Sequence, residues 1–331
     1  MTMTHALITG GAGFIGSHLA EYLLNAGYEV TIIDNLSTGR IENVQPLDAN
    51  PRFHSAIEDI RNVNVMDRLV SECDVIFHLA AAVGVHRIID EPIETIETNI
   101  GGTEVVLKAA RRYRRKVMIA STSEVYGKGV RFPFSEDDDS VLGPTTRSRW
   151  SYATSKAVDE FLALAYHKEA NLSVVIFRLF NTVGPRQRGQ YGMVLPRFIK
   201  WALQNEPILV YGDGQQQRCF CNVSDVVGAI TALGESPAAL GQVFNIGGQE
   251  EISIAALAER VRDRSGSQSE IRLISYEQAY EAGFEDFRRR VPSLEKIRHT
   301  IEWEPTTSLD ETIDQMIAYQ REEFKNNGRR N

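Results

Sequence analysis

A glycine-rich segment near the start of the chain limits the folds that this sequence can adopt. The apolar run Ala6–Thr9 leads into Gly10, and Gly13 and Gly16 follow as a helical pattern begins at Phe14. Glycine lets the backbone approach a phosphate because it has no Cβ atom, and a helix N-terminus offers unpaired N–H groups and the positive end of a dipole. The segment therefore predicts a strand–turn–helix unit that binds a pyrophosphate.

The spacing of these glycines, G-x-x-G-x-x-G, differs from the commonest dinucleotide-binding pattern, and glycines also serve tight turns. The acid at the end of the next apolar run adds to the evidence. Asp34 lies roughly 20 residues further on, where a carboxylate accepts hydrogen bonds from the ribose hydroxyls and repels a 2′-phosphate. Asp34 favours NAD over NADP as the cofactor, although Arg40 lies nearby.

Short apolar runs alternate with helical patterns through the first half of the chain. This alternation predicts an α/β fold with a Rossmann-type, doubly wound parallel sheet. We expect residues 1–180 to form the NAD-binding domain, with some later segments returning to it, and residues 181–325 to form mainly a smaller α/β lobe that binds the substrate. Strands are predicted at 6–9, 29–33, 52–55, 75–79, 117–120 and 173–179, and helices at 14–26, 64–70, 93–113 and 152–169.

Tyr152 and Lys156 form a Y-x-x-x-K element at the start of a helical pattern. Their i, i+4 spacing places the phenol and the ammonium on one face of the helix. A free tyrosine, with a pKa of about 10, is a poor base at neutral pH, and a neighbouring cation lowers that pKa. Thr122, at the end of an earlier strand, can supply a hydroxyl to the same substrate oxygen. These three residues predict oxidation–reduction chemistry, although a surface pair is the usual reason for this spacing.

Composition and charge exclude several classes of function. The net charge of −8, without a basic stripe, argues against nucleic-acid binding. No apolar run reaches the roughly 18 residues that span a bilayer, and the first five residues show no signal peptide. Three cysteines, an odd number, favour free thiols in a reducing compartment, and we expect the cytoplasm. Cys219 and Cys221 are predicted as strand residues rather than metal ligands, because no second pair lies at ligand spacing.

Taken together, these features resemble the extended short-chain dehydrogenase/reductases that act on nucleotide sugars. The segments Asp59–Arg61, His78–Ala81, Ser121–Gly127 and Arg178–Arg186 carry the same resemblance, together with Asn99. It implies an NAD that stays bound and is regenerated in each cycle. It also implies a homodimer joined by a four-helix bundle of residues 93–113 and 152–169.

The resemblance also assigns residues to the two ligands. Cofactor binding is expected of Gly10, Gly13, Phe14, Ile15, Gly16, Asp34, Asn35, Ser37, Thr38, Gly39, Asp59, Ile60, Leu79, Ala80, Ala81, Asn99, Tyr152 and Lys156. Substrate binding is expected of Asn181, Arg186, Tyr211, Arg218 and Arg290.

The residues that follow Thr122 bear on the product. Members of this group oxidise C4 of the sugar and differ in what becomes of the 4-keto intermediate. Dehydratases use an Asp-Glu pair after the threonine, whereas this chain has Ser123 and Glu124, which disfavours dehydration. Thr122-Ser123-Glu124 closely resembles the UDP-glucuronate decarboxylases, and Arg290 resembles their active-site arginine, which suits a carboxylate or a diphosphate. We therefore predict decarboxylation of UDP-glucuronate to UDP-xylose, with Glu124 or water supplying the proton at C5.

Two alternatives remain open. The stretch from Arg147 to Trp150 differs from many xylose synthases and is similar to bacterial decarboxylase domains that act in lipid modification. Residues 186–191 also differ from the decarboxylase pattern, which leaves a 4-epimerase acting on the same uronate, or on another nucleotide sugar, as the main rival. A non-catalytic NAD-binding sensor is the more remote alternative, because such proteins often lose the Tyr or the Lys, and both are present here.

Overall fold

The computed structural model describes residues 3–84, 90–190, 192–279 and 287–328. The strands are β1 (His5–Thr9), β2 (Glu29–Asp34), β3 (Phe53–Ile57), β4 (Val75–His78), β5 (Lys116–Thr122), β6 (Val174–Leu179), β7 (Thr182–Val183), β8 (Ile208–Tyr211), β9 (Gln217–Cys219), β10 (Cys221–Asn222), β11 (Val243–Ile246), β12 (Glu251–Ser253), β13 (Ile271–Ile274) and β14 (Arg289–Arg290).

The helices lie between these strands or follow the last of them. They are α1 (Phe14–Asn25), α2 (Val63–Glu72), α3 (Pro92–Ile96), α4 (Gly102–Tyr113), α5 (Arg149–Ala170), α6 (Val194–Gln204), α7 (Val223–Glu235), α8 (Ile254–Ser265), α9 (Tyr276–Ala279), α10 (Glu295–Ile301) and α11 (Leu309–Gly328). Short 3₁₀ turns occupy Ile41–Asn43, Gln45–Leu47, Ser123–Tyr126 and Pro237–Ala239. No helix in the described ranges is long and apolar enough to cross a membrane.

A seven-stranded parallel sheet forms the centre of the larger domain, in the order β11-β6-β5-β4-β1-β2-β3. Alternate residues of its strands enter two different cores. Ile8 and Ile32 pack towards α1 and α7, whereas Leu7 and Ile33 pack towards α2 and α4. Because both faces are covered, the middle residues of the inner strands are mostly apolar. The predicted Rossmann-type α/β fold is confirmed.

The chain enters the smaller lobe after β6, but part of it returns to the sheet. β11 pairs with β6, and α7 packs on α1. Helices α6, α8 and α11 build a separate core in the smaller lobe, with Phe198, Leu257 and Ile313 fully or almost fully buried. Cys219 and Cys221 are buried strand residues of β9 and β10.

The sequence predicts one continuous helix over 93–113, and this prediction is wrong. The structure divides it into α3, a π-helical turn at Glu97–Gly101, and α4. The backbone is closely packed where the π-helical turn meets α4. A Cβ atom on Gly102 would lie 2.3 Å from the Cδ1 atom of Ile60. A wider turn places Asn99 in the protein interior.

Candidate active site

A cleft of about 470 Å³ opens at the carboxyl ends of the central strands and continues into the smaller lobe. Ligands of open α/β sheets bind at this edge. The predicted residues that line the cleft are Gly10, Gly13, Phe14, Ile15, Gly16, Asp34, Asn35, Ser37, Thr38, Asp59, Ile60, Leu79, Ala80, Ala81, Thr122, Glu124, Tyr152, Lys156, Asn181, Arg186, Tyr211, Arg218 and Arg290.

The glycine turn fits a pyrophosphate because two of its glycines are packed against the protein and the third faces the cleft. Gly10 has a φ of +72°, and a Cβ atom there would lie 2.9 Å from the backbone of Ala80. A Cβ atom on Gly16 would lie 2.2 Å from the carbonyl oxygen of Gly10. Gly13, by contrast, would meet only that carbonyl oxygen, at 3.1 Å, and it lines the cleft beside the N-terminus of α1. The turn is thus tightly packed behind and accessible in front.

Asp34 ends β2 and is held in place by the backbone. Its Oδ2 accepts from the N–H of Ala12 at 3.0 Å, and its Oδ1 accepts from the N–H of Leu36 at 2.8 Å. Burial raises the pKa of Asp34, while these N–H groups act in the opposite direction. Gly39, predicted to bind the cofactor, lies against this carboxylate instead of lining the cleft, since a Cβ atom there would approach Oδ1 to 2.7 Å.

The far end of the cofactor region is organised by Asp59. Its carboxylate pairs with Arg61 at 2.8 Å and accepts from Asn35 at 3.3 Å. The Arg61 hydrogen bond, the largest influence, lowers the pKa of Asp59 to about 2. Arg61 also pairs with Glu94 of α3. These ion pairs fix the loop after β3, so that Ile60 presents an apolar wall suited to a flat base.

Two predicted site residues lie behind the cleft wall. Asn99 is 1% exposed, and its amide accepts from the N–H of Ala82 at 2.8 Å and donates to Ser155 at 3.0 Å. Ser123 is also 1% exposed. Neither side chain lines the cleft, because the π-helical turn and the 3₁₀ turn point them inward. Asn99 was expected to contact the cofactor and Ser123 to take part in catalysis. Asn99 instead holds the backbone of Ala82, and the hydroxyl of Ser123 has no hydrogen-bond partner within the described residues.

Helix α5 carries Tyr152 and Lys156 to the cleft. The side chain of Thr122 acts to lower the pKa of Tyr152, but the net pKa is raised, against the expectation from the sequence. Burial is the main cause, and the charge of Glu124 is the second. The ammonium of Lys156 donates to Asp159 at 2.7 Å. The expected effect of the lysine is therefore outweighed by desolvation, and its charge is already paired.

Beyond Tyr152, one carboxylate lies between two arginines. Oε1 of Glu124 is 3.5 Å from Nη1 of Arg290, and its Oε2 is 3.7 Å from Nη1 of Arg149. The three side chains are 14%, 13% and 7% exposed, respectively. Arg290 also donates to Oδ1 of Asn181 at 2.7 Å. We call Glu124, Arg149 and Arg290 the Glu124 cluster.

Arg149 is a site residue that sequence reasoning did not assign. It stands three residues before Tyr152, in the first turn of α5, and therefore shares a helix face with that tyrosine. Its guanidinium lies 4.9 Å from the ring centroid of Phe287. The Arg-Trp-x-Tyr pattern contained the signal, but a surface charge is the usual interpretation of an arginine there.

The remaining predicted substrate residues occupy different parts of the cleft. Arg218 is buried in β9, and Tyr211, at the end of β8, accepts a hydrogen bond from Arg197 at 3.0 Å. Arg186 pairs with Glu21 of α1 at 2.7 Å. Its guanidinium is therefore on the side of the glycine turn, close to where a pyrophosphate would bind, and not beside the Glu124 cluster.

Comparisons with known proteins agree with this geometry. The profile of the GDP-mannose 4,6 dehydratase family matches residues 7–316. The chain is 45% identical over 319 residues to UDP-N-acetyl-alpha-D-glucosaminuronate decarboxylase of Bacillus cytotoxicus, covering 96% of this chain and 97% of the relative. It is 38% identical to UDP-glucuronic acid decarboxylase 1 of Xenopus tropicalis, covering 96% and 72%.

A solved structure is similar throughout. UDP-glucuronic acid 4-epimerase from Bacillus cereus, in complex with UDP-glucuronic acid and NAD, is 31% identical with a TM-score of 0.87, covering 96% of this chain and 99% of that one. The profile match alone spans most of the protein, and the glycine turn, Asp34 and the Tyr–Lys pair agree with it. The chain belongs to the GDP-mannose 4,6-dehydratase family of extended short-chain dehydrogenase/reductases.

Proposed function

We propose that this protein is an NAD-dependent decarboxylase of a UDP-linked hexuronate. The observation that carries the proposal is the Glu124 cluster, which sets a carboxylate and two guanidinium groups beside Tyr152. Two relatives, at 45% and 38% identity, have names that describe decarboxylation of UDP-linked uronates. UDP-glucuronate, with UDP-xylose as its product, is the reaction that the sequence predicts.

The first step is oxidation at C4 of the sugar. Tyr152 takes the proton of the 4-hydroxyl, and the hydrogen-bonded Thr122 holds the same oxygen in line. A bound NAD, which Gly10, Gly13 and Asp34 would hold, would supply the redox chemistry by taking up the C4 hydride and giving it back. Buried Lys156 places positive charge beside this step. The product is a ketone β to the C6 carboxylate.

The second step is loss of that carboxylate. The C5–C6 bond breaks, carbon dioxide leaves, and the electron pair forms an enolate across C5, C4 and O4. Arg149 and Arg290 are suited to hold a carboxylate by paired hydrogen bonds. Glu124, lying between them and protonated from solvent, delivers that proton to C5 and then takes up another from solvent. Hydride returns to C4 and Tyr152 returns its proton to O4, so that the net reaction consumes one proton and releases one carbon dioxide.

The cofactor site supports NAD that stays bound between cycles. The carboxylate of Asp34 is oriented by two backbone N–H groups and only accepts hydrogen bonds when ionised. A 2′-phosphate would bring like charges together there, which favours NAD over NADP. Because the hydride is returned to the substrate, no exchange of cofactor is required.

A second substrate has specific support. The relative at 45% identity is named for the 2-acetamido sugar, UDP-N-acetylglucosaminuronate, whereas the one at 38% is named for UDP-glucuronate. The chemistry at C4, C5 and C6 is the same for both, because the acetamido group is on C2. We therefore expect one decarboxylase whose preference between these two sugars is set away from the Glu124 cluster.

The rival reaction is 4-epimerisation, since an epimerase of UDP-glucuronic acid has a closely similar fold. Incubation with each of the two UDP-uronates, followed by product mass and carbon dioxide release, separates the reactions. We expect a UDP-pentose, or its 2-acetamido counterpart, with one carbon dioxide per product. A product of unchanged mass, formed without gas, would assign the protein to the epimerases.

We also propose a homodimer joined through α3 and α5. Four apolar side chains on these helices are exposed: Ile93 at 71%, Ile96 at 40%, Val158 at 38% and Phe161 at 75%. Val158 and Phe161 are one turn apart on the same face of α5, as a helix–helix interface requires. Light scattering after gel filtration should give a dimer for the native protein and a monomer for Phe161→Glu. A native monomer would contradict the proposal.

The proposed location is the cytoplasm. All three cysteines are buried and free, and burial raises the pKa of each thiol, so the protein keeps them protonated without a disulfide. Fractionation of cells that express the tagged protein checks this, and recovery outside the cytoplasmic fraction would contradict it.

A further inference from the structure

The lysine of the catalytic pair has a buried partner that the mechanism above does not use. We propose that Asp159 is a positioning residue that holds the ammonium of Lys156, and that a buried series of hydrogen bonds from Thr9 through His78 to Thr103 lies behind it. The inference rests on the proposed function, because it concerns the same Tyr–Lys pair. We call these five residues the Thr9–Asp159 network.

The ion pair between Asp159 and Lys156 is short and shielded from solvent. Nζ of Lys156 donates to Oδ2 of Asp159 at 2.7 Å, and the two side chains are 3% and 0% exposed. An ion pair removed from water in this way resists change, because removing one partner leaves a buried charge uncompensated. The pair is one turn apart on α5, so the helix itself fixes the position of the ammonium relative to Tyr152.

The network continues behind the pair. The ring of His78 is fully buried, with Nε2 3.0 Å from the hydroxyl of Thr103 and Nδ1 2.8 Å from the hydroxyl of Thr9. The hydroxyl of Thr103 acts on Asp159 and lowers its pKa. Oδ1 of Asp159 accepts no regular hydrogen bond within the described residues.

The direction of these hydrogen bonds follows from chemistry. Burial lowers the pKa of His78 to about 3, so its ring is neutral. A carboxylate only accepts, so Thr103 directs its proton to Asp159 and accepts from Nε2–H of His78. The bare Nδ1 then accepts from Thr9, whose oxygen accepts the N–H of Ala80 at 3.1 Å. Each donor points towards Asp159, which stabilises its negative charge.

Two consequences follow for the reaction. Without Asp159, the ammonium of Lys156 has no fixed position, so turnover should fall. The negative charge of Asp159 also raises the pKa of Tyr152. Removing that charge should therefore lower the pKa of the phenol, so that it acts as a base at lower pH. The charged or titratable groups that face Asp159 or Tyr152 are Lys156, Glu160, His78, Glu124 and Arg290.

The test compares Asp159→Asn with Glu160→Gln. Glu160 is the next residue of α5 and is also buried, but it pairs with Arg178 at 2.7 Å. The pH profile of kcat is measured with UDP-glucuronate. For Asp159→Asn we expect kcat to fall about tenfold and the acid limb to move down by about half a pH unit. For Glu160→Gln we expect the acid limb to stay in place.

A native kcat and acid limb in Asp159→Asn, or an equal displacement in Glu160→Gln, would overturn the inference. If Asp159→Asn does not fold, Thr103→Val provides the test. It keeps the charges of Asp159 and Lys156 and removes the hydroxyl of Thr103. Because Asp159 keeps its charge in this variant, we expect a smaller fall in kcat with the acid limb in place, and a native kcat would overturn the proposal. Tyr152→Phe in the same assay keeps the two proposals apart, because its full activity would refute the proposed function whatever Asp159 does.

Discussion

The two ends of the cleft are built in different ways. At the cofactor end, a glycine turn and one acid lie within the first 34 residues, and they work through shape: Gly10 and Gly16 have no room for a Cβ atom. We call the other end of the cleft, formed by the Glu124 cluster, the product end. Its residues Glu124, Arg149 and Arg290 come from three distant parts of the chain and work through charge. The proposed function makes the cofactor end the part that binds NAD and the Glu124 cluster the part that selects decarboxylation.

The largest effect should come from Tyr152, where the two ends meet. Tyr152→Phe removes the proton acceptor and leaves the ring in place, so we expect kcat to fall by about 10²–10⁴-fold. The NAD content of the purified protein, measured after denaturation, should not change. Native activity in this variant would contradict the catalytic assignment and favour a non-catalytic NAD-binding protein.

Glu124→Gln should impair the chemistry at the product end and leave the cofactor end unchanged. Protonation at C5 loses its donor, so we expect product formation to fall about 100-fold while oxidation at C4 continues. Absorbance near 340 nm, characteristic of a reduced nicotinamide, should then rise after substrate is added and persist. The matched control is Glu104→Gln: this exposed residue of α4 pairs with the exposed Lys108, and the variant should behave as native. Equal product rates in both variants would remove Glu124 from the mechanism.

The arginine of α5 offers a matched pair of variants. Arg149 is buried beside Glu124, whereas Arg147, two residues earlier, is exposed. Arg149→Met removes a charge-assisted contact with the substrate carboxylate, and we expect KM to rise by about 10- to 100-fold. Arg147→Met should leave KM unchanged, and its steady-state kinetics are measured alongside. A similar rise in both would mean that general electrostatic attraction, rather than a placed contact, binds the uronate.

The smallest effect is expected at the cofactor end. Asp34→Asn keeps the shape but gives up one charged acceptor, so we expect NAD affinity to fall about tenfold, or about 1.4 kcal/mol. NADP, no longer repelled, should bind better than it does to the native protein. Fluorescence titration of cofactor-free protein measures both. An unchanged preference for NAD would show that Asp34 only caps the turn.

The sequence predicted the cofactor end more completely than the product end, for a physical reason. The glycine turn and Asp34 belong to one strand–turn–helix–strand unit, so local patterns describe them. Even there, Gly39 and Asn99 were expected to contact the cofactor and lie behind the wall instead. Whether a side chain faces in or out depends on the exact path of a turn, as the π-helical turn at Asn99 illustrates.

The product end required knowledge of the tertiary fold. Glu124 and Arg290 were predicted because their neighbours resemble those of decarboxylases, but their separation of 3.5 Å depends on β14 lying beside β9. Arg149 was overlooked because its partner is 25 residues away. The pKa of Tyr152 was expected to be lowered, and desolvation, which only the folded structure reveals, raises it.

Turnover in D₂O tests the central claim most directly, namely that the Glu124 cluster directs the 4-keto sugar to decarboxylation. If Glu124 protonates C5 after carbon dioxide leaves, the sugar product will lack its C6 carbon and carry one deuterium at C5. Mass spectrometry and proton NMR of the product measure both. A product that retains C6 and contains no carbon-bound deuterium would contradict the account and identify the reaction as 4-epimerisation.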